Sequence, residues 1–276
     1  MNAVETGLAR LPDGGTIAYE TCGPPHAGAP VLLLRPLGGS MALWGSFRAR
    51  LAETHRIIAF DHRGSGRSSA APVLTTTRSL ARDALDLLDH LGAPRAQVFG
   101  ISLGGMVATY LAILAPARVA RLCIAAAPAR GLALSRAGLG RALALAACLA
   151  RPRGEIEACL IDRILSRQFR DAHPEALRRI EALANAEPSS RVALAQLALA
   201  AAMHDARGSL ASITAPTLVL AGEYDALLGT AAPRALAAAI RGATFAIVAG
   251  SGHDLTLEQP LTTAASVARF FAAPTE

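Results

Sequence analysis

Gly100-Ile101-Ser102-Leu103-Gly104-Gly105 sets one serine between small residues, directly after the apolar run Ala96 to Phe99. The pattern predicts that Val98 and Phe99 end a strand and that Met106 to Leu114 form a helix. Ser102 then occupies a strand-to-helix elbow, with its hydroxyl exposed and its backbone beside a helix N-terminus. A turn that sharp strains the backbone at the serine. Glycines two residues before and two after omit side chains that would collide where strand and helix approach most closely. A nucleophile is mounted in this way.

Outward from the elbow, short runs rich in β-branched residues or leucine recur at Ile17 to Thr21, Val31 to Leu34, Ile57 to Phe60, Leu122 to Ala126, Thr217 to Ala221 and Thr244 to Ala249. Helical patterns separate most of them. Leu80, Ala84, Leu87, Leu88 and Leu91 recur at helical spacing, with Arg82, Asp83, Asp86 and Asp89 on other faces, and the pattern ends at Gly92. Continuous apolar strands alternating with helices imply an α/β fold with a mostly parallel sheet of about eight strands covered on both faces. The first two runs are expected to pair antiparallel as an N-terminal hairpin. From about Pro128 to Gly208 only helical segments occur: Leu139 to Ala150, Glu155 to Gln168, Pro174 to Ala186 and Ser190 to Met203. The expected architecture is a core of residues 1–128 and 209–276, interrupted by a helical cap over 129–208.

A serine hydroxyl needs a base within hydrogen-bond reach and a third group that fixes the base's tautomer. The strand Thr217 to Ala221 is followed by Gly222-Glu223-Tyr224-Asp225, and Thr244 to Ala249 by Gly250-Ser251-Gly252-His253. Both loops fall at the C-terminal edge of the sheet, where ligand sites gather. Ser102, Asp225 and His253 are thus the candidate catalytic residues, in the chain order of α/β-hydrolases. Glu223 is the rival acid. Asp254 adjoins His253 too closely to orient it, and His62, in a turn ahead of the nucleophile, is expected to be structural. His26, His55, His90, His173 and His204 lie in polar loops or at helix ends. For an oxyanion, the Leu103 amide is one donor; the second falls in Arg35-Pro36-Leu37-Gly38-Gly39, and because Pro36 has no N–H the choice is Leu37.

Together the loop Arg35 to Gly39, the turn Asp61-His62-Arg63-Gly64-Ser65-Gly66-Arg67-Ser68, the elbow, Gly222 to Asp225, and Gly252-His253 with Glu258-Gln259-Pro260 resemble an α/β-hydrolase-fold family. The resemblance is to the group of 3-oxoadipate enol-lactonases, cofactor-free haloperoxidase/perhydrolases and small carboxylesterases. It implies a serine hydrolase acting on a small or medium ester, lactone or thioester through an acyl-enzyme, with no metal or organic cofactor. Perhydrolysis and carbon–carbon hydrolysis use the same triad, and a non-catalytic ligand receptor is the rival from another class. A serine nucleophile disfavours haloalkane dehalogenase and epoxide hydrolase chemistry, whose enzymes attack with aspartate. Many members carry histidine-glycine where this chain has Arg35-Pro36. Arg35 either binds a substrate carboxylate through its planar fork or turns to solvent beside the loop. Arg35, Trp44 and Met106 are the substrate-pocket candidates, Trp44 being first a core residue, as is Phe47 one helical turn on.

Composition narrows the alternatives. The 276 residues are 52% apolar and carry a net charge of +6, yet all 27 cations are arginine. Without lysine there is no Schiff-base lysine, Walker A lysine or serine-lysine dyad. No basic run alternates with aromatics, so nucleic acid is not an expected partner. The stretch Arg136, Arg141, Arg151 and Arg153 would suit an acidic substrate or carrier protein, or simply a solvated helix face; nothing else supports a carrier. Cysteines 22, 123, 148 and 159 show no C-x-x-C or metal spacing and are expected as free thiols. No secretory signal is evident near the start, and Ala142 to Ala150 and Val192 to Met203 fall short of the roughly 18 to 20 residues of a membrane span. A cytoplasmic protein with a small-molecule acyl substrate is the expectation.

Overall fold

The sheet runs through the centre of the molecule, and its strands deliver every loop named above. In the computed structural model, residues 4–25, 28–72, 74–131, 136–152 and 154–273 are described, with backbone only for 136–138. His26, Arg153 and the Arg136 side chain therefore lie outside the described residues. The strands are β1 (Glu5–Arg10), β2 (Thr16–Cys22), β3 (Val31–Leu34), β4 (Ile57–Phe60), β5 (Ala96–Ile101), β6 (Val119–Ala125), β7 (Thr217–Gly222) and β8 (Thr244–Val248). Their order across the sheet is β1-β2-β4-β3-β5-β6-β7-β8. From β4 to β8 every pairing is parallel, while β2 is antiparallel to both β1 and β4.

This corrects the expected hairpin. The run Ile17 to Thr21 pairs not with Val31 to Leu34 but with β1 and β4. Most of β1 is exposed, so it lacks the apolar density that marks the inner strands.

Strand residues alternate strictly between two cores, as a period of two requires. Leu32, Leu34, Val98, Leu122 and Ile124 face one side, against α2 (Thr77–His90) and α3 (Leu103–Leu114). Leu33, Phe99, Ile101, Cys123 and Ala125 face the other, beneath α1 (Gly45–Leu51) and with Val267 and Phe271 from near the C-terminus. Helix α2 starts where the sequence supports it: Thr76 accepts from the Ser79 amide, and the Ser79 hydroxyl accepts from the Thr76 amide.

Between β6 and β7 the chain makes α4 (Arg136–Leu149), α5 (Ile156–Ile164), α6 (Arg167–Ala172), α7 (Pro174–Ala186) and α8 (Arg191–Ala202). The expected helix Glu155 to Gln168 is in fact two, because Leu165 is extended and Ser166 caps α6 through the Phe169 amide. The neck of this insertion is closed by backbone pairs, Gly131 donating to His204 and Ala206 to Ala129. Beyond β7 lie α9 (Ala231–Ala239), α10 (Leu255–Glu258) and α11 (Pro260–Ala272). Among the described residues no helix is long and apolar enough to cross a membrane.

The expectation of four free thiols is corrected for two of them. Cys148 and Cys159 form a disulfide across the α4–α5 hairpin, whereas Cys22 and Cys123 are free. A separation of 11 residues matches no sequence signal for pairing; the antiparallel turn of two helices brings the Cα atoms to 5.5 Å, within bridging range.

Candidate active site

Ser102 has φ 56 and ψ −118, a conformation rare for any residue with a side chain. Its amide donates to Ala125 and its carbonyl accepts from Met106, so strand and helix hold the strained residue from both sides. Close approach enforces the flanking glycines. A Cβ on Gly100 would lie 2.2 Å from the Gly104 carbonyl oxygen, and one on Gly104 would lie 2.1 Å from that of Leu34. The second distance also shows that α3 begins directly against the exit of β3.

Asp225 and His253 follow β7 and β8, neighbours in the sheet. His253 Nδ1 lies 2.8 Å from Asp225 Oδ2, and Nε2 lies 2.8 Å from Ser102 Oγ. An ionised carboxylate can only accept, so Nδ1 carries the proton and Nε2 accepts from the serine hydroxyl. Asp225 Oδ1 takes the amides of Leu227 (2.9 Å) and Leu228 (2.8 Å). Burial pushes the Asp225 carboxyl up, but the His253 charge and hydrogen bond and these two amides outweigh it and hold it below its ordinary value. The rival acid, Glu223, is exposed and accepts from the Gly250 amide. Ser102, Asp225 and His253 are thus brought together in one hydrogen-bonded chain.

The two oxyanion-donor candidates also meet here. Leu103 is the first residue of α3, where an amide has no intrahelical acceptor, and the Leu37 amide donates to no backbone carbonyl among the described residues. The Leu34 and Arg35 carbonyls abut Gly104, so the Leu37 loop and the start of α3 share one corner. Gly104→Ala is expected to push them apart, lowering kcat up to about a hundredfold, the scale of one lost oxyanion donor. Steady-state kinetics with a melting curve on the same preparation checks it: a wild-type kcat would disconnect this corner from the chemistry.

Arg35 does neither thing expected of it. It is 1% exposed, donating from Nη2 to Asp254 Oδ2 (3.0 Å) and from Nη1 to Thr256 Oγ1 (3.1 Å), with its guanidinium 4.7 Å over the Trp44 ring. It is removed from the pocket candidates because an arginine committed to a buried acid has no fork to offer a substrate. Trp44 is likewise core and not pocket wall: fully buried, it packs against Phe47 and Phe99. Met106 is buried in the core on the α2–α3 side.

Residue motifs alone did not reveal the supports of His253. Its amide and that of Asp254 donate to the Ile164 carbonyl, at 3.1 and 3.3 Å, at the end of α5. Glu258 takes the Ser166 amide (3.0 Å) and hydroxyl. The insertion thereby clasps the histidine loop. Glu258 belongs to the Glu258-Gln259-Pro260 motif, whereas Ser166, 92 residues away, carries no such signal.

The turn Asp61 to Ser68 is structural, as expected. Asp61 accepts the amides of Met41 (2.6 Å) and Arg67 (2.9 Å). Within it burial pushes His62 down to about 4, against a contact from the Arg35 backbone, and burial likewise lowers His204 to about 4 against the Asp205 charge. The unfolded chain protonates such groups near 6.5, so their contribution is whole above that pH and falls as pH drops towards 4. His62→Gln or His204→Gln is expected to remove one proton's worth of slope, about 1.4 kcal/mol per pH unit, from unfolding free energies in this window. Denaturant titrations at several pH values measure it; unchanged slopes would mean that these imidazoles are solvated.

The family model for the alpha/beta hydrolase fold matches residues 29–260. The chain belongs to the α/β-hydrolase fold family, and with this hydrogen-bonded chain at its elbow it is an enzyme of the serine-hydrolase type. It is 31% identical to 3-oxoadipate enol-lactonase 1 of Acinetobacter baylyi, over 94% of each chain. It is 36% identical to RutD of Variovorax paradoxus (strain S110), named for carbamate hydrolysis, over 85% of this chain and 88% of that one. Among solved structures, a hydrolase from Pseudomonas aeruginosa PA01 superposes with a TM-score of 0.85 at 30% identity, covering 98% of this chain and 99% of that one.

Proposed function

We propose that the protein hydrolyses small carboxylic esters or lactones by way of an acyl-enzyme on Ser102. The observation that carries this is the unbroken path from Asp225 through His253 to the Ser102 hydroxyl, each link at 2.8 Å. Similarity to an enol-lactonase over nearly the whole chain supports the ester and lactone class.

Ser102 Oγ attacks the carbonyl carbon as its proton passes to His253 Nε2, and Asp225 stabilises the imidazolium that forms. The negative charge on the former carbonyl oxygen is held by the Leu37 and Leu103 amides. As the tetrahedral intermediate collapses, His253 returns the proton to the departing alkoxide. Water then gives a proton to His253 and attacks the ester carbon, and Ser102 leaves with its hydroxyl restored.

Labelling with a fluorophosphonate, read by peptide mass, is expected to fall on Ser102. Rapid mixing with p-nitrophenyl acetate should release a burst of about one p-nitrophenol per chain if deacylation is the slower step, and steady turnover in either case. Labelling without turnover would make the chain a binder. Parallel assays on aryl esters, lactones and acyl thioesters rank the substrates, and added peroxide tests for perhydrolysis.

A further inference from the structure

The Cys148–Cys159 disulfide sits in surroundings that favour its opening. Arg163 Nε donates to Cys148 Sγ at 3.2 Å, and Cys148 is 0% exposed, whereas Cys159 is only partly buried. A reductant's thiolate attacks the sulfur it can reach and expels the other, and a cation beside the expelled sulfur eases its departure as thiolate. Cys159 offers the point of attack, and the guanidinium attends the leaving Cys148.

The same bond is the chief anchor of α4. Among the described side chains of that helix, residues 139–149, only Cys148 is buried, while Leu139 and Leu143 are 60% and 63% exposed. An element with so little buried apolar contact opens at low cost once its cross-link is gone. Helix α5 is held differently. Ile161 packs in one apolar cluster with Leu43 and Phe169, the Ile164 carbonyl accepts from the His253 and Asp254 amides, and a Cβ on Gly38 would lie 3.8 Å from Leu160 Cδ1. Opening the disulfide therefore leaves α5 on the core and frees α4. That helix follows β6, whose last residue, Ala125, accepts from the Ser102 amide, so the chain enters it from beside the nucleophile.

We infer that the Cys148–Cys159 disulfide is a redox latch: oxidised, it holds α4 against one side of the substrate entrance, and reduced, it lets that helix go. The reductant is a dithiol. Its first sulfur attacks Cys159 Sγ as thiolate, Cys148 leaves and takes a proton, and its second sulfur then closes a ring on the first, releasing Cys159 as the other thiol. Ser102, His253 and Asp225 keep their supports throughout, so the change falls on substrate binding and not on acyl transfer. The kinetic half of the inference rests on the serine-hydrolase reading of Ser102.

The test uses the full chain and p-nitrophenyl butyrate, before and after dithiothreitol, with the thiols in each state counted by alkylation and peptide mass. Reduced wild type is expected to show a KM raised about fivefold or more with kcat within about twofold, and reoxidation by diamide to restore the starting KM. The Cys148→Ser/Cys159→Ser variant should keep the high KM and ignore the reductant; if it does not fold, the reversible reduction of wild type decides. Cys22→Ser/Cys123→Ser should respond as wild type does. Trypsin supplies a readout independent of turnover, cutting after Arg141 in reduced protein and not in oxidised protein. A disulfide that resists dithiothreitol in the native protein, an unchanged KM after complete reduction, or the same trypsin pattern in both states overturns the inference alone. Absence of turnover in both states overturns the reading of Ser102 and the kinetic half with it, and the trypsin pattern then decides the release of α4.

Discussion

Ser102→Ala is expected to lower kcat on an activated ester by about 10⁴- to 10⁶-fold and to abolish fluorophosphonate labelling, while the protein melts close to wild type. The size of the effect follows from the way the three groups act in series. Without Oγ there is nothing for His253 to activate, and the residual rate comes only from the oxyanion donors and from substrate positioning. The fold should tolerate the change, since alanine meets the same backbone strain at φ 56 as serine and the hydroxyl bonds only His253. His253→Ala should cost a similar factor, and the double variant little more, because each single loss already disables the unit. Stopped-flow and steady-state rates on purified variants decide it. A Ser102→Ala enzyme within tenfold of wild type would place the chemistry elsewhere in the molecule.

The second large effect concerns stability. Arg35 and Asp254 are 1% and 0% exposed, and Asp254 also takes the Thr256 amide at 3.1 Å. Removing one member strands the other as an uncompensated buried charge, so Arg35→Ala or Asp254→Ala is expected to cost about 3–5 kcal/mol. Replacing both with neutral residues of similar volume, Arg35→Met with Asp254→Asn, which keeps an acceptor for the Thr256 amide, should recover most of that loss, since the pair's attraction is spent largely on its own desolvation. Denaturant unfolding of the two single variants and the double variant measures the coupling. Additive losses would show that the pair is not the unit described.

The pair also spans the site. Arg35 begins the loop that carries Leu37, and Asp254 follows His253, so the ion pair ties the Leu37 loop to the His253 loop. Residual activity of the double variant therefore reports how far that link positions the two loops.

Legibility differed from residue to residue, for physical reasons. The Ser102 elbow, the acid at 225 and the base at 253 were readable because each requirement is local: a tight turn needs glycine, and a loop after an apolar strand ends at the sheet's C-terminal edge. The inner strands were readable because burial on both faces demands unbroken apolar runs. Strand β1 escaped notice because an edge strand needs no such run. The α5–α6 break also escaped, because it depends on Ser166 capping a helix next to Glu258, far away in the chain.

By itself the amino-acid sequence determined the fold class, the place of the helical insertion, and the three residues, Ser102, Asp225 and His253, that the fold joins in one hydrogen-bonded chain, since steric and periodic demands act over a few neighbouring residues. Only the tertiary structure decided what Arg35 is for, which cysteines pair, and which loop residues clasp His253. Those outcomes depend on which distant side chains meet away from water. Charge and hydrogen-bond partnership in a dehydrated space are set by contact, and contact between remote segments exists only once the chain has folded.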